Sequence, residues 1–277
     1  DVLVSRVLQQ GYVEDFEMQG RKKDGTIADL LVTSTTMRDG EGAITGFQGS
    51  IKDITERRRM EEKVLTSLRE KEVLLRELYH RTKNNMGFIN SLLGLEAGYF
   101  NDETLKSAFE EIRNRITSMA IVHEKLYESS DLSRINLKDY VNDLIKLVVQ
   151  SAMFPAGKVS FACEMEDVFV LIDIAVPCGL VIYELLSNAM KHAFPGARPG
   201  RITLRLHRIE SGDIDIEVSD DGAGFPPGFD VQRDGRIGLK IFHILAEKQL
   251  RAQIILQAEC GVTWRLRFRD DSYQARV

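Results

Sequence analysis

The stretch from about residue 53 to about residue 95 contains no proline, and its apolar residues recur at alternating steps of three and four. The repeating positions are Leu65, Leu68, Leu75, Tyr79, Met86, Ile89 and Leu93, with Glu72 and Thr82 at two intervening positions. Spacing of this kind places one stripe of side chains against a partner helix. The chain must therefore contain a long amphipathic helix, and the remaining residues must supply that helix with a partner.

A second helix with the same spacing is predicted from about Glu103 to Glu128. Its stripe is Leu105, Phe109, Ile112, Ile116, Met119, His123 and Leu126, which makes His123 a packed histidine. Gly94 and Gly98 are expected to end the first helix, and residues 99–102 to form the turn. Two helices joined in this way form an antiparallel hairpin. Pairing two hairpins gives a four-helix bundle, so we expect a homodimer, with a monomer as the alternative because the stripe is interrupted.

Composition limits the classes of function. The 277 residues are 43% hydrophobic and 29% charged, which is typical of a soluble globular protein of about two domains. A net charge of −5 offers no electrostatic basis for binding nucleic acid. The three cysteines form no CxxC pair, which favours free thiols in a reducing compartment, the cytoplasm. The sequence shows no signal peptide and no run of 18 apolar residues, so no membrane segment is expected in this chain.

Residues 1 to about 53 predict a short helix followed by a three-stranded antiparallel meander. The expected strands are Tyr12–Arg21, Ile27–Met37 and Ala43–Lys52, separated by Asp-Gly and Glu-Gly turn signals. Three strands make a thin domain, so either a partner covers one face or the chain begins partway through a larger domain.

The stretch from Gly46 to Arg57 resembles the end of a PAS sensor domain, in which the last strand passes through an Asp-Ile-Thr junction into a signalling helix. Flavin-binding members of that family carry glutamine where this chain has Ile51, and no cysteine precedes Cys163. No flavin is therefore expected. The alternative to a sensor domain is a structural β-meander that binds no ligand.

From about Asn136 the pattern changes to alternating helices and strands. A helix is predicted over Leu137–Ala152, and a strand hairpin over Val159–Glu164 and Val168–Ile172. The remaining expected elements are a helix at Val176–Phe194 with Pro177 in its first turn, strands at Ile202–Ile209 and Ile214–Ser219, a Gly/Pro-rich loop at Gly222–Arg236, a helix at Leu239–Leu250, and strands at Gln253–Glu259 and Thr263–Arg269. This order predicts a two-layer α/β sandwich with a mixed sheet.

Three segments of this region carry polar residues or glycines suited to a nucleotide. Glu184, Asn188, Lys191 and His192 share one helix face. Asp220-Asp221-Gly222-Ala223-Gly224 follows a strand, and its glycines permit close approach of a ligand to the backbone. Gly235-Arg236-Ile237-Gly238-Leu239 opens a helix, whose N-terminal N–H groups favour phosphate.

In this order, the three segments resemble the N, G1 and G2 boxes of the GHKL ATPases, whose fold is the Bergerat type of α/β sandwich. The resemblance implies that Asn188 binds Mg²⁺, that Asp221 holds the adenine amino group, and that Lys191 and His192 face the phosphates of ATP. It also implies that Gly222, Gly224, Gly238 and Leu239 line the nucleotide, with residues 225–237 as a short lid. Glu184 resembles the residue that activates water in hydrolysing relatives, and here it is expected to orient Mg²⁺ or Asn188.

The segment His80-Arg81-Thr82-Lys83-Asn84-Asn85 lies on the first long helix, and its histidine is turned about 100° from the apolar stripe. It resembles the HRxKN phosphoacceptor motif of the second class of HisKA dimerisation domains, and residues 114–127 resemble the second helix of that class. His80 is then the phosphoacceptor. Glu77 is our choice for its base, Asn84 shares its face, and Arg81 is a candidate contact for the transferred phosphate.

The resemblance implies an α+β multidomain protein. The expected domains are 1–53, partial PAS-like; 54–132, the helical hairpin for dimerisation and histidine phosphotransfer; and 133–277, the catalytic ATP-binding domain. The implied function is an ATP-dependent histidine kinase that passes phosphate to an aspartate on the receiver domain of a response regulator. One alternative is a phosphotransfer or scaffold protein with a decayed ATP site. Another is a GHKL ATPase that hydrolyses ATP for conformational work.

Overall fold

The computed structural model describes residues 2–128, 133–151 and 158–270, and the chain divides into two compact units, residues 1–74 and 75–277. The predicted boundary at residue 132 and the predicted helix end at Ala152 lie outside the described residues. The domain limits remain predictions.

The first unit contains the predicted antiparallel meander. Helix α1 (Val2–Gln10) precedes strands β1 (Tyr12–Arg21), β2 (Ile27–Arg38) and β3 (Ile44–Asp53), which lie in the order β1-β2-β3. Both pairs of strands are antiparallel, as expected. The buried apolar side chains of this unit are few: Val7, Val13, Ala28, Val32 and Ile54.

Hydrogen bonds hold the junction between β3 and the long helix. Asp53 Oδ1 accepts from the backbone N–H of Thr55 at 3.0 Å and from its hydroxyl at 2.6 Å, which satisfies a donor at the start of the helix. Thr55 Oγ1 in turn accepts from the N–H of Asp29 at 2.9 Å. Lys22 pairs with Asp53 at 2.6 Å, and hydrogen bonds from Lys22 and Thr55 lower the pKa of the Asp53 carboxyl.

The long helix α2 runs from Thr55 to Tyr99 and continues through both glycines that were expected to end it. Gly94 does not end the helix because it is a point of close packing: a Cβ there would lie 3.3 Å from the guanidinium carbon of Arg113 on the next helix. That helix, α3, spans Glu103–Glu128 as predicted, and Asp102 Oδ1 accepts from the N–H of Thr104 at 2.7 Å as its N-cap.

In the second unit, α2 and α3 form the expected antiparallel hairpin. Its contacts run in opposite directions along the two helices: Arg76 with Tyr127, Tyr79 with His123, Lys83 with Glu124, Asn90 with Thr117, and Gly94 with Arg113. The stripe is only partly enclosed, since Tyr79, Met86 and Leu93 are half-buried whereas Leu75 and Ile89 are exposed.

The rest of the second unit is the predicted two-layer sandwich. Its elements are β4 (Arg134–Asn136), α4 (Leu137–Ser151), β5 (Val159–Met165), β6 (Phe169–Leu171), α5 (Ile172–Asn188), β7 (Gly200–Arg208), β8 (Ile214–Asp220), α6 (Val231–Asp234), α7 (Ile237–His243), β9 (Gln253–Gln257) and β10 (Val262–Phe268). The mixed sheet has the order β5-β7-β8-β10-β9, in which only the β5–β7 pair is parallel. The predicted hairpin of β5 with β6 is wrong, because β5 pairs with β7 and β6 pairs with β4.

Helix α5 is the core helix of this unit and continues as a π-helical turn, Ala189–Ala193. It begins at Ile172, so Pro177 lies in its second turn and not in the predicted first turn. Gly179 makes room for the ring of Tyr140 on α4, whose hydroxyl donates to the carbonyl of Ser118 on α3 at 2.9 Å. Val122 and Leu126 of α3 are fully buried in the same core. The hairpin is thus packed against the sandwich.

One stretch in the described part of the chain, Ile172–Ala193, is long and apolar enough to cross a membrane. Its most apolar window is 78% buried inside the sandwich. The apolar character of this helix is accounted for by its place in the core.

Candidate functional site

His80 lies on the exposed face of α2, as the helix periodicity predicted. Its Nδ1 lies 3.4 Å from the side-chain amide of Asn84, one turn later on the same face. The imidazole also packs against Tyr127 of α3, with 5.8 Å between ring centroids. One nitrogen of His80 therefore has a protein partner, and the ring is positioned by both helices of the hairpin.

Glu77 and Arg81 flank His80 and pair with each other. Arg81 Nε donates to Glu77 Oε1 at 2.6 Å, and this hydrogen bond is the main reason that the pKa of Glu77 is lowered. A carboxylate with a lowered pKa that is already hydrogen-bonded to arginine is a weaker base. In this conformation Glu77 is occupied by Arg81, and its role as the base stays a prediction.

His123 packs inside the hairpin, as its stripe position predicted. Its ring lies 5.9 Å from that of Tyr79, and burial lowers its pKa. His80, in contrast, is open to solvent.

We refer to α5 together with its π-helical turn as the N helix. Of the four polar residues predicted to share one face of it, two form ion pairs with α3. Glu184 is only 3% exposed, and it accepts two hydrogen bonds from Arg115, Nε to Oε1 at 2.5 Å and Nη2 to Oε2 at 3.2 Å. Lys191, two turns later, pairs with Glu111 at 2.7 Å. The sequence interpretation missed Arg115 and Glu111, although their spacing of four residues places them on one face of α3.

Asn188 lies between these two ion pairs along α5. It follows Glu184 by four residues and precedes Lys191 by three, so all three side chains share the face that meets α3. Its Nδ2 is buried and has no hydrogen-bond partner among the residues that the structure describes. Buried polar atoms without a partner are uncommon in folded proteins, so Asn188 is a candidate for binding a ligand or a water molecule.

Arg236 adds a positive charge near this face, and His192 adds a neutral imidazole donor. His192 is open to solvent, yet loss of water on one side of its ring lowers its pKa, and the charges of Lys191 and Arg236 act in the same direction. Arg236 immediately precedes α7. Cationic and neutral donors at this place suit an anion such as phosphate.

The two aspartates at the end of β8 occupy different environments. Asp221 is exposed, and its Oδ1 accepts from the backbone N–H of Arg201 at 2.7 Å. Asp220 is half-buried, its Oδ1 accepts from the N–H of Gly222 at 2.9 Å, and burial raises its pKa. No hydrogen bond to Asp220 Oδ2 is formed within residues 2–128, 133–151 and 158–270. Asp220 is thus better placed than Asp221 to receive an adenine amino group.

The glycines of the two loops are needed for close packing and turns. A Cβ on Gly222 would overlap Ala193 at the end of the π-helical turn, and one on Gly238 would overlap Glu184 Oε2. Gly224 has a φ of +72°, which side chains disfavour. Leu239 is half-buried against the core. Gly222 and Gly238 therefore bring the DxGxG loop and the start of α7 against the N helix.

His80 and the N-helix face lie at different levels of the hairpin. His80 packs against Tyr127, whereas Lys191 and Glu184 pair with Glu111 and Arg115. Arg115 and Glu111 precede Tyr127 by 12 and 16 residues, which corresponds to about 18 and 24 Å along a helix. In this arrangement, His80 is not adjacent to the N helix.

The residues present fit a nucleotide with Mg²⁺. Mg²⁺ at phosphate sites is held by one or two protein oxygens together with phosphate and water, so a multi-ligand protein cage is not required. The side-chain amide of Asn188, whose Nδ2 has no partner among the described residues, can supply such an oxygen, because rotation of the amide exchanges its oxygen and nitrogen. Lys191, His192 and Arg236 supply donors for the phosphates.

Family models match both parts of the second unit. Residues 77–152 match the HisKA_2 model, described as histidine kinase, and residues 174–271 match the histidine kinase-, DNA gyrase B- and HSP90-like ATPase model. The two matches include His80 and the three segments that resemble the N, G1 and G2 boxes.

Known relatives are similar over much of the chain. The sensor histidine kinase PdtaS of Mycolicibacterium smegmatis is 32% identical over 232 residues, which cover 82% of this chain and 44% of that protein. Blue-light-activated histidine kinase 2 of Erythrobacter litoralis is 24% identical over 181 residues, which cover 62% of this chain and 50% of that protein. The chain therefore spans about half the length of these relatives.

A solved structure has the same fold. The blue-light activated histidine kinase of Erythrobacter litoralis superposes with a TM-score of 0.53 and 19% identity, over 98% of this chain and 81% of that chain. At this identity, the likeness concerns the arrangement of helices and strands.

Proposed function

We propose that this chain, which belongs to the sensor histidine kinases of the HisKA_2 class with a GHKL-type ATPase domain, transfers the γ-phosphoryl group of ATP to His80 and then to an aspartate on a response regulator. The observation that carries the proposal is the exposed His80 on a hairpin that also packs against an ATPase-type sandwich. The GHKL-type domain implies ATP binding, and the roles of individual residues are our assignment.

In the nucleotide site, Asn188 would hold Mg²⁺, and Lys191, His192 and Arg236 would face the phosphates. Mg²⁺, when bound, neutralises charge on the phosphates. Gly222, Gly224, Gly238 and Leu239 shape the loop and helix start around the nucleotide. Glu184, being buried and paired with Arg115, would act as an orienting residue and not as a base for water.

We assign the adenine amino group to Asp220 in place of Asp221. The support is that Asp220 is half-buried with Oδ2 available, whereas the carboxylate of Asp221 binds the Arg201 backbone on the exposed side. Asp220 is also the first residue of the DxGxG pattern.

Asp220→Asn is expected to weaken ATP binding by about tenfold or more, because one amide oxygen can still accept from Gly222 while the amide nitrogen then faces the adenine amino group. Asp221→Asn is the matched control, and its ATP affinity should stay within about threefold of the parent because an amide oxygen can still accept from Arg201. Titration calorimetry with ATP and Mg²⁺ measures both. If Asp221→Asn weakens ATP binding more than Asp220→Asn does, Asp221 is the residue that binds the adenine amino group.

In the transfer step, a nitrogen lone pair of His80 forms a bond to the γ-phosphorus, the bond from phosphorus to the β,γ-bridging oxygen breaks, and ADP leaves. Because Nδ1 faces Asn84, the free nitrogen is Nε2. Nε2 has a lone pair only when the proton is on Nδ1, and that proton can be donated to Asn84 once its amide oxygen faces the ring. With its amide turned in this way, Asn84 would favour the reactive tautomer, and the Nδ1 proton would be released to solvent after transfer.

The separation of His80 from the N helix requires a rearrangement before transfer. The sandwich moves along the hairpin, or it acts on His80 of a second chain. An exposed apolar stripe on α2, formed by Phe88, Leu92, Leu95 and Tyr99 at steps of four, three and four, supports a homodimer through the hairpin. Phosphohistidine would then be open to a response regulator receiver domain. We place these steps in the cytoplasm, where ATP is present.

The proposal is tested by incubating the chain with Mg²⁺ and either γ-labelled or α-labelled ATP. The kinase is expected to retain the γ-label and not the α-label. Release of labelled inorganic phosphate without protein labelling would instead favour a hydrolysing GHKL ATPase. Absence of nucleotide binding would favour the phosphotransfer or scaffold alternative.

A further inference from the structure

Four charged residues of alternating sign connect α3 to the N helix. Lys191 pairs with Glu111 at 2.7 Å, Glu111 lies 3.6 Å from Arg115, and Arg115 pairs with Glu184 at 2.5 Å. Two of these residues belong to the hairpin and two belong to the nucleotide-binding helix. We refer to Lys191, Glu111, Arg115 and Glu184 as the charge chain.

Asn188 lies inside the charge chain. The pairs Lys191–Glu111 and Arg115–Glu184 bracket it on the same face of α5, and its buried Nδ2 has no partner among the described residues. A phosphate or cation held by Asn188 would therefore lie between the two pairs, beside α3. The hairpin lies directly against this face, because both ion pairs join it to α3.

Glu184 accepts from only some of the N–H donors of Arg115. A guanidinium carries five N–H donors, and Glu184 uses one on Nε and one on Nη2. The remaining donors include those of Nη1, and Arg115 is held with only 13% of its side chain exposed. A planar, pre-oriented guanidinium with unused donors suits phosphate oxygens.

The two carboxylates of the charge chain differ in how readily they can be displaced. Glu184 is buried, so separating it from Arg115 would leave an unpaired buried charge. Glu111 has 36% of its side chain exposed, so it can turn to water at little cost. Incoming phosphate would compete with Glu111 for Lys191 and Arg115 and would leave Glu184 in place.

Resting on the nucleotide site proposed above, we infer that Arg115 is a phosphate-binding residue contributed to that site by the hairpin. Glu184 orients its guanidinium, and Glu111 competes with the nucleotide for it. ATP binding is then sensed directly by the helix that packs against His80. The opposing interpretation is that the charge chain only locks the hairpin and keeps nucleotide out.

Affinities for ATP, ADP and AMP, measured by calorimetry with Mg²⁺, separate these two interpretations. Arg115→Gln should weaken ATP binding by about tenfold or more while AMP binding changes less than about twofold, because the lost contact is to the terminal phosphates. Glu111→Gln should tighten ATP binding by about threefold through loss of the competitor. Arg113→Gln is the matched control, since Arg113 is on the same helix but contacts Gly94 of α2.

Arg115→Gln leaves Glu184 without its partner, so the double variant Arg115→Gln, Glu184→Gln is measured beside it. Weaker ATP binding in the variants that lack Arg115, with AMP unchanged, supports the inference. Equal or tighter ATP binding in these variants overturns the inference. It would show that the charge chain only locks the hairpin and keeps nucleotide out. If the parent chain binds no nucleotide, the proposed function itself fails. If the parent binds ATP and Arg115→Gln binds it equally well, only the inference about Arg115 fails.

Discussion

His80→Gln is expected to reduce the transfer of phosphate from γ-labelled ATP to the chain to background. Glutamine keeps a polar side chain at an exposed helix position, so the fold should be retained, but its amide nitrogen is not a nucleophile. Among the described residues, His80 contacts Asn84 and Tyr127, and both of these contacts are exposed. Autoradiography of the purified chain measures the effect, and calorimetry should show ATP binding within about twofold of the parent.

The control for this substitution is His207→Gln. His207 lies on β7 and is 3.5 Å from Asp215, which keeps its pairs with Arg265 and Arg267. This variant should be labelled like the parent. If His80→Gln accepts label at the parent rate, His80 is not the phosphoacceptor and the interpretation of the HRxKN motif is wrong.

Asn188→Ala is expected to reduce labelling by about hundredfold or more, a loss of the size seen when one well-placed polar group is removed from an active site. The fold should be unaffected or slightly stabilised, since the buried Nδ2 that is removed has no partner within the described residues. The measurement is the labelling rate as a function of Mg²⁺ concentration, with thermal unfolding recorded for the same sample.

The conservative variant Asn188→Asp provides the comparison. It restores an oxygen at the same place, so labelling should recover in part as the Mg²⁺ concentration rises. A folded Asn188→Ala chain that labels at the parent rate would remove Asn188 from the Mg²⁺ role. Failure of both variants with unchanged ATP affinity would indicate a role in transfer and not in holding the metal.

Local patterns predicted most of the secondary structure. The three-four spacing predicted α2 and α3, and α3 has the bounds expected from it. Alternating apolar residues and turn glycines predicted the meander, whose first strand also has the expected bounds. Both patterns involve residues that are close together in the sequence, so they can be recognised in a single sequence.

The wrong predictions concern features that are set by contacts between residues far apart in the sequence. Gly94 reads as a helix end, but Arg113 packs over it, and only the hairpin brings the two together. The short strand β6 pairs with β4, more than thirty residues earlier, and not with the adjacent strand. Pairing of edge strands depends on the assembled sheet, which local propensity does not encode.

For the candidate site, the sequence singled out His80 and the three segments that resemble nucleotide boxes, but it did not show which side chains contact one another. Arg115 and Glu184 are separated by 69 residues, and no spacing rule connects them. Asp220 and Asp221 are adjacent, and only burial at the end of β8 distinguishes them. The strand alternation could have indicated this, since neighbouring residues on a strand point to opposite faces.

The chemical stability of the label on the parent chain tests the central claim most directly. A phosphorus–nitrogen bond to imidazole is broken in acid and survives alkali, whereas serine and threonine phosphates survive acid. After incubation with γ-labelled ATP and Mg²⁺, the protein should lose its label in acid and keep it in alkali, and the label should map to the peptide that contains His80. A label that survives acid, or that maps to another peptide, would contradict the account.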